Sequence, residues 1–329
     1  MKIKDIDRTP KHITTIGGQA LIEGILMRGP KDVAIAVRKP NKEIELKKEK
    51  LNTLGMRYRF FRLPIIRGVV GLVESLSFGL KALMYSAEFF DVEEDEKSKG
   101  KKDSFLYEKW KNSSLYRFFE DKSEDIEIGF TLIVSLLLSI GLFILFPTVI
   151  TNLLKNIIHK PVLLNLVEGL IRIAVFLSYV VIVSKMDEVG RVFEYHGAEH
   201  KTIHCYEHGE ELTVENVRKY PILHPRCGTS FLFMVMIVSI FVLSFFGWPN
   251  PIKRLAIRLV MLPVIAGISY EINRFIGKSR SKLAYFISYP GLFIQKIATV
   301  KEPDDGQIEV AILALEAVLT ENREEDRWK

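Results

Sequence analysis

Side chains able to do chemistry are concentrated in one stretch, Glu194–Cys227, EYHGAEHKTIHCYEHGEELTVENVRKYPILHPRC, which holds five of the seven histidines and both cysteines. His196, His200, His204 and His208 recur every four residues. On a helix such residues share a face, about 5–6 Å apart at Cβ. With His196 at zero and about 100° per residue, Glu199 falls near roughly −60°, Glu207 near +20° and His200 near +40°. Two imidazoles and two carboxylates on one face suit a divalent metal. His196-Gly-Ala-Glu199-His200 also fits H-x-x-E-H, in which two histidines hold zinc and the glutamate beside them is the general base. The expected ligands are His196 and His200, completed by Glu271, Glu207 or His224, with His204 and Cys227 as further donors. Glu199 is the expected base, or else a ligand or the partner of Lys201 or Arg191. Zinc is the expected metal, with manganese or iron as alternatives.

The elements that position this stretch are apolar. Phe130–Ile150 and Thr229–Gly247 carry no charge, and Val162–Ser184 and Leu255–Phe275 are of similar length with few ionisable residues. About 20 apolar residues cross a bilayer core of about 30 Å, so these read as four transmembrane helices. Lys and Arg set an orientation: fifteen lie in residues 1–64 and six in 185–228, against two each in 151–161 and 248–254. Two helical hairpins then place both termini and the histidine segment in the cytoplasm. The start, MKIKDIDRTPKHITTIGG, lacks the apolar core of a secretory signal. Two cysteines in a cytoplasmic setting argue against a structural disulfide. The net charge of +6 reads as basic segments facing anionic lipid and not as a nucleic-acid surface.

The expected architecture is a mainly α, polytopic protein of the cell membrane with about four transmembrane helices in two hairpins, interfacial helices and a small cytoplasmic N-terminal β-hairpin region. Residues 1–62 form the glycine-rich and hairpin segment, the strands lying in 32–50 about a turn at Pro40-Asn41. Residues 63–125 hold interfacial helices and a charged linker: Leu63–Phe90 carries Arg67, Glu74, Lys81 and Glu88 at sevenfold spacing and reads as lying in the interface. Asp91–Asp103 is the linker, and Phe105–Phe119 mixes aromatic and basic residues as a membrane-surface anchor does. The first transmembrane hairpin occupies 126–184, with Glu168 and Arg172 spaced to pair. Residues 185–228 are the histidine segment, its helix stopped by Gly209, followed by a short helix at Thr213–Lys219 and a proline-broken return loop, YPILHPRC. The second hairpin is 229–276. In 277–329 an apolar segment interrupted by Pro290-Gly291 precedes a helix over Gln307–Thr320, whose face of Ile308, Ala311, Ile312, Leu315 and Leu319 needs a partner, within this chain or in a homo-oligomer.

Four segments, GGQALIEGILMRGP, YHGAEHKTIHCYE, HPRCGTSF and EPDDGQIEVAILALEAVL, resemble the bacterial YqhQ family of membrane proteins over almost the whole chain. The resemblance implies a membrane protein and a metal-dependent enzyme, and brings no substrate with it. From the residues themselves the leading expectation is a membrane-surface hydrolase. The alternatives are a divalent-cation or small-solute transporter or channel, and a non-catalytic scaffold held by a metal.

Overall fold

The computed structural model describes residues 10–90, 124–279 and 281–328. The expected linker at 91–103 and anchor at 105–119 lie outside them. The chain forms two compact units, residues 1–89 with 177–329, and residues 90–176.

The first unit opens with an antiparallel meander of β1 (Gly17–Leu21), β2 (Gly24–Arg28), β3 (Asp32–Arg38) and β4 (Ile44–Lys50), in that spatial order. β3 and β4 are the expected hairpin, paired from Asp32↔Lys50 to Arg38↔Ile44. The β1–β2 hairpin is an addition that alternation could not reveal. Gly24, Ile25, Leu26 and Met27 of β2 are all buried, because the strand is covered on both faces and needs no polar side.

Helix α1 (Ile66–Ala87) covers one face, where Ala82 packs with Leu21, Leu26 and Val33. The opposite face meets the histidine helix. In chain order the remaining helices are α2 (Glu124–Ile140), α3 (Phe146–Leu153), α4 (Pro161–Val183), α5 (Asp187–His208), α6 (Val214–Arg218), α7 (Gly228–Ser244), α8 (Pro251–Lys278), α9 (Lys282–Ile294) and α10 (Asp305–Glu316). Ile25, Met27, Ala34 and Ala36 of the sheet, Tyr195, Ala198 and Ile203 of α5, and Ile308, Ala311 and Leu315 of α10 form one core. The apolar face of α10 thus finds its partner within this chain. α5 carries Asp187 and Glu188 in its first turn, where the helix dipole favours acids, and ends at Gly209 with φ 68°, the left-handed cap glycine adopts without strain. α10 begins with a capping box between Asp304 and Gln307.

Among the described residues four helices are long and apolar enough to cross a membrane: Ile66–Ala87, Gly129–Asn156, Pro161–Val183 and Pro251–Lys278. The set differs from expectation in two places. α1, expected to lie in the interface, is by length and mean hydropathy also able to cross, and two of its three charges, Arg67, Glu74 and Lys81, have partners distant in sequence. Arg67 pairs with Glu271, and Glu74 accepts from the Leu54 amide at 2.7 Å and lies 3.5 Å from Arg28. α7, expected as a span, has 17 residues and is about 26 Å long, somewhat short of a bilayer core. α1 crosses α8 closely: a Cβ on Gly267 would stand 2.7 Å from the Ile65 carbonyl, and one on Gly68 3.0 Å from Gly267 Cα. Pro290 does not break its segment but lies inside α9.

In the second unit Glu168 is buried. It accepts from Thr148 Oγ1 at 2.6 Å and lies 3.5 Å from Arg172, the pairing expected from their spacing. Arg172 Nε also donates to the Phe143 carbonyl at 3.2 Å, within the π-helical turn Gly141–Leu145. This is an ion pair with hydrogen-bonding partners, as a buried charge requires.

Candidate metal centre

The site is built on α5, and everything that holds it lies in the first unit. His196 Nδ1 lies 2.8 Å from the Thr299 carbonyl oxygen, and His200 Nδ1 lies 2.6 Å from that of Ile222. A carbonyl only accepts, so both Nδ1 atoms carry a proton, and Nε2 is the nitrogen each ring has left to offer a metal once it is unprotonated. The Nε2 of His196 is 3.0 Å from Cys227 Sγ. One donor atom from each of His196, His200 and Cys227 falls within 4.8 Å of the others. Zinc with ordinary bonds holds its ligands about 3.3–3.8 Å apart, so a small contraction would close the set. Carbonyls that fix the tautomer and angle of both rings are the support that metal-binding histidines regularly have.

Three elements meet here for local reasons. Cys227 is the N-cap of α7, its Sγ accepting from the Thr229 amide at 3.4 Å. Ile222 belongs to the return loop, which Pro221 and Pro225 keep out of helical conformation. Thr299 ends the π-helical turn Gln295–Thr299 that follows α9. Gln295, fully buried, locks loop to turn. It accepts from the His224 amide at 2.9 Å, donates to the His224 carbonyl at 2.8 Å and to Ser230 Oγ at 2.9 Å.

The protonation states suit a cation. Burial pushes the Cys227 thiol up, but His196 and His200 override it and hold the group well below the ordinary thiol range. Burial lowers His196, but Cys227 and Glu199 outweigh it and raise the imidazole to about 9. A thiolate thus faces either an imidazolium or, with a metal in place, neutral imidazoles. Glu199 is buried, and its Oε1 accepts from the Gly18 amide at 2.8 Å. Burial raises its carboxyl, His196 and His200 oppose that, and the net direction is upward, as a general base requires. His196 is only partly buried.

The other expected ligands fall elsewhere. His204, Glu207 and His224 form a second group within 4.8 Å, but a cation already stands in it. Arg226 reaches Glu207 Oε1 at 2.5 Å and His224 Nε2 at 3.2 Å. Glu207 also accepts from the Thr14 amide at 2.7 Å. Burial, first, and the cationic Arg226 hold His224 well below its ordinary value. Burial drops His204 to about 3 against the Leu223 carbonyl bond at 2.9 Å. The second group is therefore an ion pair lined by neutral histidines. Glu271, expected in the ligand set, joins neither group and is engaged by Arg67.

Residues 12–16 and 326–328, which no motif marks, buttress the site. Asp326 is buried and takes His12 Nε2 at 2.7 Å, Thr14 Oγ1 at 2.7 Å and the Tyr206 hydroxyl at 2.9 Å. The Thr15 and Trp328 amides bond across to Asp326 and Ile13 at 2.6 and 2.8 Å. These contacts hold residues 12–16 against α5, one turn of chain before Gly18 meets Glu199. An acid among Glu324, Glu325 and Asp326 was the one available signal, and nothing distinguished it from a solvated tail.

Fold and site define a largely helical protein with helices of membrane-crossing length, an N-terminal β-meander and a buried histidine–cysteine cluster at their junction. The chain belongs to the family described as a protein of unknown function, DUF1385, whose model matches residues 63–321. It is similar to the uncharacterized protein YqhQ of Bacillus subtilis (strain 168), 32% identical over 320 residues, which is 93% of this chain and 95% of that one. No solved structure matches it.

Proposed function

We propose that the protein is a metal-dependent hydrolase of the membrane surface, with His196, His200 and Cys227 as ligands and Glu199 as general base. The observation that supports this most is the pair of Nδ1–carbonyl bonds, which leave the Nε2 atoms of both rings to face Cys227 and a metal, while the Glu199 carboxylate stands next to them, held by the Gly18 amide and engaged by neither Arg191 nor Lys201, which pair with Glu23 and Glu302. Zinc fits this nitrogen–sulfur donor set best, and three protein ligands leave a fourth position for water or substrate. When bound, the metal would acidify water and polarise the substrate. Glu199 would take the water's proton, and the Gly18 amide would hold the carboxylate in place. Residues 1–62, the histidine segment and the C-terminus would face the cytoplasm, with the spans in the bilayer, as the distribution of Lys and Arg suggests.

A second reading rests on the same Sγ–Nε2 distance of 3.0 Å. Without a metal, His196 and Cys227 make a thiolate–imidazolium pair at a helix N-terminus, the arrangement of a cysteine nucleophile. Metal content separates the two. Protein purified in mild detergent without chelator or histidine tag should carry about one zinc per chain, lost in H196A/H200A and in C227S. No metal in the wild type, even after zinc, manganese and iron are added back, would sink the hydrolase reading and leave the thiolate pair.

A further inference from the structure

Away from the histidines, a cavity of about 230 Å³ is lined by Lys11, Ile13, Lys278, Arg327 and Trp328. Three of its five lining residues are cations and none is an acid. Among the described residues no carboxylate pairs with Lys11 or Lys278, and Arg327 is held by Glu324 at 2.9 Å. The indole Nε1 of Trp328 is buried without a hydrogen-bond partner. Buried indole N–H groups normally have one. Arg226 adds a further positive charge behind the cavity, its guanidinium 5.9 Å from the Trp328 ring centre. The volume is below the several hundred Å³ of sites for drug-sized molecules and fits a head-group-sized anion.

Two of the walls have stable positions. Trp328 and Arg327 belong to the tail strand that bonds to residues 13–15. Lys278 is the last residue of α8, a helix of membrane-crossing length. A cation at the end of such a helix lies where phosphate head groups would lie. We propose that this cavity binds a phosphate-bearing anion, with Lys11, Lys278 and Arg327 supplying charge and the Trp328 ring forming a wall. The phosphate belongs either to a lipid head group or to a free solute. Nothing in this assignment depends on the metal centre.

The test uses the full chain in a neutral detergent, in the H196A/H200A background so that phosphate cannot report on a metal. Binding of inorganic phosphate, dihexanoyl phosphatidic acid and dihexanoyl phosphatidylcholine is measured by calorimetry. Saturable one-to-one binding of phosphatidic acid is expected, weakened about tenfold or more by K11Q/K278Q, as loss of two charge-assisted contacts implies. Both lysines are exposed, so this variant should fold as the parent does. Inorganic phosphate binding as well would identify a free phosphate as sufficient. Phosphatidic acid binding alone would identify a lipid head group. Equal binding of phosphatidylcholine, no saturable binding of either phosphate probe, or unchanged affinity in K11Q/K278Q would each overturn the proposal.

Discussion

Arg226 occupies the place a metal would take in the second histidine group, and replacing it tests that statement. In Arg226→Met the side-chain length is kept while the charge is lost. Glu207, its side chain 2% exposed, would lose a partner that is itself 11% exposed and retain the Thr14 amide. Breaking a buried pair by removing one member costs about 3–5 kcal/mol, a fall in midpoint on the order of 10 °C for a unit of this size. His204, Glu207 and His224 would then be a metal site with no cation in it. At a zinc concentration about 100-fold above its dissociation constant, binding returns about 2.7 kcal/mol, more than half of the loss. The assays are thermal unfolding of detergent-solubilised protein with and without zinc, and zinc content by elemental analysis. The variant should hold about one zinc more than the wild type. A wild type that already fills both groups would refute the reasoning, as would a variant that neither loses stability nor responds to zinc.

Four further outcomes follow from the geometry. E199Q should keep the metal, because its amide oxygen can still accept from Gly18, and should lose any hydrolytic activity by at least about 100-fold; retained activity in a defined ester or phosphoester assay would remove Glu199 as the base. With iodoacetamide at pH 8, Cys227 should be alkylated only after chelation, while Cys205, buried and raised to about 12 by that burial, should stay unmodified either way; peptide mass mapping reads both sites. G267A puts a methyl 2.7 Å from the Ile65 carbonyl and should lower stability by about 1–3 kcal/mol, seen as a lower unfolding midpoint, with metal content unchanged. D326A removes the acceptor shared by His12, Thr14 and Tyr206 and should destabilise by about 3 kcal/mol; protease cleavage near residues 10–16 should rise with it.

Local regularities were legible in the sequence. The fourfold histidine spacing, Gly209 and the acids at the start of α5 describe the helix that forms, and the alternation of 32–50 describes the β3–β4 hairpin. Period failed wherever an element is covered on two sides. β2 has no polar face, so its hairpin with β1 was invisible. The ring carriers His196 and His200 could be named, but the carbonyls that fix them, from Thr299 and Ile222, carry no side-chain signal at all. Spacing put Glu207 on the metal-facing side of α5, and only the fold brings Arg226 to it. Glu271 is similar: a carboxylate near a helix end reads equally as a ligand or as the counter-ion of Arg67, and proximity decides.

The clasp between residues 12–15 and 326–328 also bears on the order of assembly. His12 and Asp326 are 314 positions apart, so at about 5–20 residues per second the ribosome needs roughly 15–60 s to supply the second after the first. Once residue 208 has been added, the N-terminal strand has α5 to pack on but no tail to pin it, and Gly18 can leave Glu199. The carboxylate beside the histidines should thus gain its fixed orientation only once residues 326–328 have emerged. A chain clipped behind α10 would carry every residue of the candidate centre and still lack its finished geometry.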